Sequence, residues 1–356
     1  MIKNFLGLIF HEKIKRVGEK IKRVLSHKHL GLIFNEKLNW EDHITSACNK
    51  SMKRVGILKR LSRQLPRKAK ETIYSTFIRP TLEYSDVIFD GCTKKLSKAL
   101  EQVQRQAALA CTGAYMGTHH PSLLQELGWD TLSTRRECHK LTYMYKITNG
   151  LAPNYLQLLC SGRVRDRTNY NLRNPNNLVV PYARTVSFAR SFIPATTRLW
   201  NNLDHNVRDA PSLASFKSRL KRLRCRSKTR LYSQFNGYGP TNQSRMRMGL
   251  SGLNFHRHRV GFIPSSHCPN CTASREDPAH FFLLCPRYAA QREVLLRGVA
   301  PVLTPGIDFH LLIPDTNTGR TDLTNSLLFG SPILPHQDNS TIFELVNDYI
   351  MHTRRF

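Results

Sequence analysis

The sequence lacks any apolar run that approaches the roughly 18–20 residues a helix needs to cross a bilayer. Its first residues, MIKNFLGLIFHEK, hold a short apolar stretch with no small-residue cleavage site after it, which is not typical of a secretory signal. The nine cysteines are an odd number and contain a single C-x-x-C pair, which argues against a disulfide framework. The sequence therefore predicts an intracellular protein, of the nucleus or the cytoplasm, with no membrane partner.

Motifs of several enzyme classes are missing as well. The thirteen aspartates include no adjacent pair, whereas polymerases and nucleases need carboxylates close enough to share two metal ions. Asp86 and Asp90 could share one face of a helix, but surface or capping roles are the favoured interpretation. Neither a G-x-x-x-x-G-K-[ST] phosphate loop nor a G-x-S-x-G nucleophile elbow occurs. We therefore expect a binding protein rather than an enzyme that acts alone.

Acidic residues are scarce, and the imbalance is concentrated in the middle of the chain. Lys and Arg number 54 against 25 Asp and Glu, which gives a formal charge of +29. From Cys138 to Arg275 there are 23 basic residues and three acidic ones, and no acidic residue lies between Ala210 and Arg275. A region this basic repels itself unless it meets a polyanion, and nucleic acid is the commonest such partner. An anionic membrane surface or an ordinary solvated surface is the alternative.

The cysteines that are not scattered form one compact motif, C-x2-C-x8-H-x4-C. Its members are Cys268, Cys271, His280 and Cys285. Three thiolates and one imidazole are a closed tetrahedral ligand set, so the motif predicts a structural Zn2+ site rather than a catalytic one, although Glu276 lies in the intervening loop. The alternative is that the cysteines are small buried apolar residues and His280 is a hydrogen-bonded core histidine.

The spacing of apolar residues predicts a mainly α fold. Four amphipathic patterns in residues 30–150 favour a basic helical bundle. Residues 151–262 form a basic connector of mixed character, in which alternation around Thr185, Ser187 and Phe188 predicts a short β-hairpin.

The ends of the chain differ from the middle. The zinc module occupies residues 263–300, and residues 301–356 are expected to be a tail with weak helices. The sequence LGLIFHEK at 6–13 recurs as LGLIFNEK at 30–37, with one difference. We therefore interpret residues 1–29 as an irregular, rearranged start.

Two basic stretches are the candidate nucleic-acid contacts. The stretch KSRLKRLRCRSKTR holds eight basic residues in fourteen, and the next stretch alternates arginines with Tyr238, Phe255 and Phe262. Arginine binds phosphates bidentately, and aromatic rings stack on unpaired bases, although a solvated helix surface is the alternative. The predicted contacts are Lys217, Arg219, Lys221, Arg222, Arg224, Arg226, Lys228, Arg230, Arg245, Arg247, Arg257 and Arg259.

Several segments, taken in order, resemble one family. They are KHLGLIFNEKLNWEDHI, FIRPTLEYSDVIF, LSTRRECHKLTYMYKITNGLAPNYL, SFIPATTRLWNNL with SLASFKSRL, and CPNC…HFFLLCPRYAAQR. Together they resemble the C-terminal part of the reverse-transcriptase proteins of LINE-like non-LTR retrotransposons, of the Jockey and chicken-repeat kind. The resemblance covers roughly residues 28–356.

The resemblance implies a part for each region. Residues 28–150 would be the end of the palm and the thumb, which grips the template–primer duplex, and residues from about 160 to 300 would be the connector and the cysteine–histidine domain. The four family ligands correspond to Cys268, Cys271, His280 and Cys285. The family's endonuclease and its Asp-Asp polymerase motif precede this region and are missing here.

Three functions remain open on the sequence. The first is a nucleic-acid-binding fragment of an RNA-directed DNA polymerase that works in target-primed reverse transcription. The second is one piece of a larger active polypeptide whose polymerase region lies upstream. The third, from another class, is a repurposed host protein-interaction module braced by a structural zinc.

Overall fold

The computed structural model describes residues 24–160, 162–166, 175–224 and 237–356. Within these ranges the chain is mainly helical, with seventeen α-helices and one small antiparallel sheet, which confirms the predicted fold class. Residues 1–23 of the predicted irregular start lie outside the described residues. In the part of the chain that is described, every helix is too short or too polar to cross a bilayer.

The sheet is a hairpin near the start of the described chain. Strand β1 is Ser26–His29 and strand β2 is Leu32–Asn35, joined through Leu30 and Gly31, both with positive φ. Two such residues are what a tight two-residue hairpin turn requires.

The hairpin predicted around Thr185 is instead one turn of helix, Val186–Ala189. The Thr185 hydroxyl accepts a hydrogen bond from the Phe188 amide at 3.2 Å. This bond caps the turn, so local helix capping outweighed the alternating pattern that suggested a strand.

The first hydrophobic core lies mainly within residues 30–150, the region predicted as a helical bundle, although the last helix of that region packs mainly in the second core. Its main pair is helix α1 against helix α5, where Ile44, Val55 and Leu58 meet Leu100 and Val103. A π-turn at 74–78 precedes Pro80 and carries the chain from α2 into α3. The helices of this core are α1 (Glu41–Leu61), α2 (Arg67–Ile73), α3 (Arg79–Glu83), α4 (Asp86–Phe89), α5 (Lys94–Thr112) and α6 (His120–Leu127).

The second core lies in the following region. Tyr145 stacks on Phe216 with ring centroids 4.5 Å apart and donates a hydrogen bond to the carbonyl of Ala210 at 2.7 Å. Trp200 also belongs to this core, with its ring centroid 5.8 Å from that of Phe216. The helices here are α7 (Leu132–Thr148), α8 (Asn154–Leu158), α9 (Val186–Ala189), α10 (Phe192–Asn201), α11 (His205–Arg208) and α12 (Leu213–Arg224).

The third core joins the Cys/His segment to the C-terminal helices. Phe281 and Phe282 pack against Phe343 and Ile350, and the Tyr349 hydroxyl donates to the Phe281 carbonyl at 2.6 Å. The region predicted as a weak tail therefore shares one hydrophobic core with the Cys/His segment. Its helices are α13 (Tyr238–Arg247), α14 (Asn254–Arg259), α15 (Ala289–Leu303), α16 (Asn317–Phe329) and α17 (His336–Thr353).

A buried ion-pair network connects the first and third cores. The Glu126 carboxylate of α6 accepts hydrogen bonds from Arg67 at 2.8 Å and from Arg247 at 2.8 and 2.9 Å, and the Ser244 hydroxyl also donates to it. Burial raises the pKa of Glu126, but the two guanidinium groups outweigh burial and hold it below its ordinary value. Glu126 is therefore ionised and bridges α2 to α13.

Candidate metal centre and basic surfaces

The first two candidate metal ligands lie on one tight turn. The amide of Cys268 donates to the Ala273 carbonyl at 3.0 Å, and the amide of Asn270 points at the Cys268 sulfur at 3.4 Å. Cys271 follows at the end of the turn, half-buried, while Cys268 is buried. The two-residue spacing of C-P-N-C thus places both sulfurs on one side of the turn.

The other two ligands lie at the ends of a π-turn, His280–Leu284. The amide of Cys285 donates to the His280 carbonyl at 2.9 Å, which is the five-residue hydrogen bond of that geometry. The His280 amide is in turn held by the Asp277 carboxylate at 2.9 Å. Burial of Phe281 and Phe282 in the third core anchors this turn, and both ligands face the C-P-N-C turn.

The four ligand atoms converge on one point. All of them lie within 4.8 Å of one another, with 3.9 Å between the sulfurs of Cys268 and Cys285 and 3.4 Å from the Cys271 sulfur to Nε2 of His280. Bonds of about 2.3 Å to a tetrahedral zinc ion would place two sulfurs about 3.8 Å apart. A disulfide would need about 2.05 Å instead. The cluster could therefore hold a metal ion, and its donors and spacing are compatible with zinc.

The surroundings of the cluster favour neutral ligands. Burial, with the neighbouring thiols, raises the pKa of Cys268 to about 12, and it also raises the pKa of Cys285. Burial lowers the pKa of His280, so the imidazole is held in its neutral, ligating form. Thiolate ligation would need a cation to replace the thiol protons, and metal binding is therefore expected to release protons.

The carboxylate beside the cluster is already engaged. Glu276 is 1 % exposed and accepts two hydrogen bonds from Arg355, each of 2.6 Å, and a third from the Asn254 amide at 2.7 Å. A general base must be free to reach a substrate proton. Glu276 instead fixes the loop between the ligands against the end of the chain that follows α17.

Helix α12 separates an apolar face from a basic one. Phe216 and Leu220 are buried in the second core, whereas Lys217, Lys221 and Arg222 are exposed. The helix itself carries no acidic residue. Phe216 and Leu220 are four positions apart, which fixes the helix orientation and leaves the three basic side chains in solvent.

The other candidates in this stretch are arranged differently. Arg219 donates to the carbonyl of Asn206, and Arg224 pairs with Glu137 at 2.6 Å, so both are held against neighbouring helices. The remaining three candidates, Arg226, Lys228 and Arg230, lie outside the described residues.

Arg245 and Arg247 serve contacts inside the protein. The Arg247 side chain is 4 % exposed because it pairs with Glu126. Arg245 stacks over Tyr115 at 4.2 Å and donates to the Gly113 carbonyl at 2.7 and 3.0 Å. The sequence pattern that suggested phosphate contacts at these two positions carried no sign of partners more than a hundred residues away.

A second basic surface lies next to the metal cluster. Arg257 is partly exposed and Arg259 is exposed on α14, and Phe262 just beyond them is 61 % exposed. Arg275, which the sequence reasoning missed, stacks over Phe255 at 3.8 Å. The sequence signal that could have identified Arg275 is its position in the loop between the candidate metal ligands.

Comparisons with protein-family models, with curated proteins and with solved structures find no match to this chain. The metal cluster and the two basic surfaces are therefore the basis for a functional proposal.

Proposed function

We propose that this chain binds nucleic acid and that zinc braces the part of the fold that presents one of its binding surfaces. The observation that carries the proposal is the exposed basic face of α12, where Lys217, Lys221 and Arg222 stand free of acidic partners within the described residues. Cations placed in this way neutralise phosphates and release counterions, which is the main source of affinity for nucleic acid.

The ligand is proposed to be single-stranded RNA or DNA. Next to the metal cluster, the exposed Phe262 ring and the Arg275–Phe255 stack stand beside Arg257 and Arg259. Aromatic faces stack on unpaired bases while arginines contact the phosphates between them. In a duplex the faces of most bases are covered by their neighbours, so this combination suits a strand whose bases are unpaired.

The metal is proposed to be a structural zinc ion. Cys268, Cys271, His280 and Cys285 would hold it, and three thiolates with one imidazole leave no open position for a substrate. The ion would lock the C-P-N-C turn onto the π-turn. Arg275 pairs with Asp277 at 2.8 Å, and the Asp277 carboxylate also holds the His280 amide, so the ion would also fix the position of Arg275.

The chain is further proposed to be the C-terminal region of a LINE-like non-LTR retrotransposon reverse-transcriptase protein. Support comes from the ordered sequence segments given above and from the coincidence of the family's four ligands with the metal cluster. The parent activity would be RNA-directed DNA polymerase in target-primed reverse transcription, with its Asp-Asp palm and endonuclease upstream. The role of this region would be to grip nucleic acid.

The test is a salt titration of binding to a fluorescent 20-nucleotide RNA by the full chain. A triple variant, Lys217→Gln, Lys221→Gln and Arg222→Gln, removes three phosphate contacts. It is expected to reduce the slope of log K against log salt by about 2, because each contact with a single strand contributes about 0.7. The matched control changes Lys94, Lys95 and Lys98 to Gln, three exposed lysines of α5.

The control removes the same charge from another surface, so it separates a local site from general electrostatics. A reduced slope in the α12 variant alone supports the proposal. Equal reductions in both variants would contradict a site on α12. Binding that is absent or insensitive to salt would contradict nucleic-acid binding and favour the alternative of a protein-interaction module.

A further inference from the structure

A cavity of about 720 Å³ lies where the first and third cores meet. Its walls are the connection from α1 to α2, the C-terminal end of α5 and the first turns of α13. Its size falls in the range of about 300–1,000 Å³ that is typical of small-molecule sites.

The charge in this cavity has one sign. Arg63, Arg67, Lys70 and Arg245 line it, and among the described residues of its wall there is no Asp or Glu. Arg67 is neutralised by Glu71 and Glu126 behind the wall, at 3.1 and 2.8 Å. Within the described part of the chain, no carboxylate forms an ion pair with Arg63, Lys70 or Arg245.

The hydrogen-bond partners of Arg245 among the described residues are uncharged. Its guanidinium donates to the Gly113 carbonyl, to the Asn242 side-chain oxygen at 3.1 Å and to the Tyr115 hydroxyl at 3.3 Å. These bonds fix the direction of the group but leave its charge uncompensated.

Lys70 is half-buried, and no described side chain forms an ion pair or a hydrogen bond with its ammonium group. Burial is the main cause that lowers the pKa of Lys70. A lysine that is partly desolvated and unpaired is stabilised by an anion that comes to it from solvent. Arg63 is exposed at the same cavity and has no partner among the described side chains either.

We propose that this cavity is a binding site for the phosphate group of a small phosphorylated ligand, with Lys70, Arg63 and Arg245 as its cationic contacts. A phosphate offers several acceptor oxygens and a double negative charge, which matches the three cations in the wall. The remaining volume of the cavity, which Tyr238 also lines, has room for a nucleoside attached to that phosphate.

Phosphate binding here is independent of the nucleic-acid binding proposed above, because no α12 or α14 residue lines the cavity. The ligand would contact two cores at once, from α2 and α5 on one side and from α13 on the other. Binding should therefore raise the temperature at which the full chain unfolds.

The experiment is calorimetric titration of the full chain with inorganic pyrophosphate, AMP and adenosine. The variant is Lys70→Met, which keeps the length of the side chain, and the control is Lys68→Met at an exposed position of the same helix that does not line the cavity. Arg63→Gln is a second variant at an exposed position and should leave folding unchanged. Pyrophosphate and AMP are expected to bind and adenosine is not.

Lys70→Met and Arg63→Gln should each weaken binding about tenfold or more, the effect of losing one charge-assisted hydrogen bond. Lys68→Met should change it by less than about twofold, because its charge is screened by solvent. Tighter binding of AMP than of pyrophosphate would identify a nucleotide as the ligand, and equal binding would identify the phosphate group alone. Absence of binding by both, equal binding of adenosine and AMP, or an equal loss in Lys68→Met would overturn the inference.

Discussion

Glu126→Gln is predicted to destabilise the protein severely, because one carboxylate neutralises two guanidinium groups. Arg67 and Arg247 have side chains only 9 % and 4 % exposed, and Glu126 is 2 % exposed. The substitution keeps the shape of the side chain and removes its charge. The side-chain amide of glutamine has only one oxygen that accepts hydrogen bonds. At least one guanidinium would therefore lose its acceptor and face the NH2 group of the amide instead.

Removing one partner of a buried ion pair costs about 3–5 kcal/mol in other proteins. We expect the Glu126→Gln loss to lie in that range, since Arg67 retains Glu71 but Arg247 loses its carboxylate contact at 2.8 Å. The assay is urea unfolding at pH 7, followed by circular dichroism. The control is Glu344→Gln, a change of the same charge at an exposed position of α17, which should alter the unfolding free energy by less than about 0.5 kcal/mol.

The pH dependence of the difference in unfolding free energy between the native chain and Glu126→Gln gives a second test. Because the pKa of Glu126 lies below its ordinary 4.5 in the folded protein, its stabilising effect is complete above that value. The effect is lost as the pH falls through the lower folded pKa. The gap between the native chain and Glu126→Gln should therefore be constant from pH 7 to about pH 5 and narrow below pH 4.5. A loss under about 1 kcal/mol at pH 7 would refute the view that this network joins the two cores.

Three further variants, each at a single position, have expected effects on stability. Burial lowers the pKa of His256 from 6.5 to about 4, and its Nδ1 accepts a hydrogen bond from the Ser251 amide at 3.2 Å. The neutral imidazole therefore stabilises the fold fully above pH 6.5, and this stabilisation declines as the pH falls toward 4. Urea unfolding between pH 4 and 7 should show a shallower decline in His256→Gln, and identical slopes would contradict this. Gly239→Ala should destabilise by about 1–3 kcal/mol, because a Cβ there would lie 2.9 Å from the Asn347 carbonyl oxygen. Gly56→Ala, in open space on α1, should stabilise by about 0.5–1 kcal/mol, and thermal unfolding of the two variants in the same direction would contradict the packing of α13 on α17.

The parts of the structure that depend on local sequence were predictable. The long helices α1, α5 and α7 follow apolar spacings of three and four residues, and capping residues such as Thr93 and Gly113 mark their ends. The convergence of the four candidate metal ligands was predictable for the same reason, because a short turn and a π-turn bring them together over eighteen residues. The C-x2-C-x8-H-x4-C spacing reflects local geometry, because each ligand pair lies on one turn.

The parts that depend on distant residues were not predictable. From the sequence, Arg247 is expected to be a surface arginine. Its buried position follows only from its ion pair with Glu126, which lies 121 residues earlier in the chain. Helix α17 looked weak because its apolar residues gain their partners only when Phe281 packs on them. The hairpin was predicted near Thr185 but lies near the start of the described chain. The alternation near Thr185 covers only three residues and is a weak signal, whereas the turn at Leu30 and Gly31 depends on backbone conformation.

The proposed structural zinc connects the Cys/His segment to the proposed function, and X-ray absorption at the zinc edge tests it most directly. The full chain, purified without added metal or chelator, should contain one zinc ion. The spectrum should fit three sulfur ligands at about 2.3 Å and one nitrogen ligand at about 2.0–2.1 Å, the set of Cys268, Cys271, Cys285 and His280. A protein that is folded and free of zinc, or a zinc ion bound mainly by oxygen, would contradict the account.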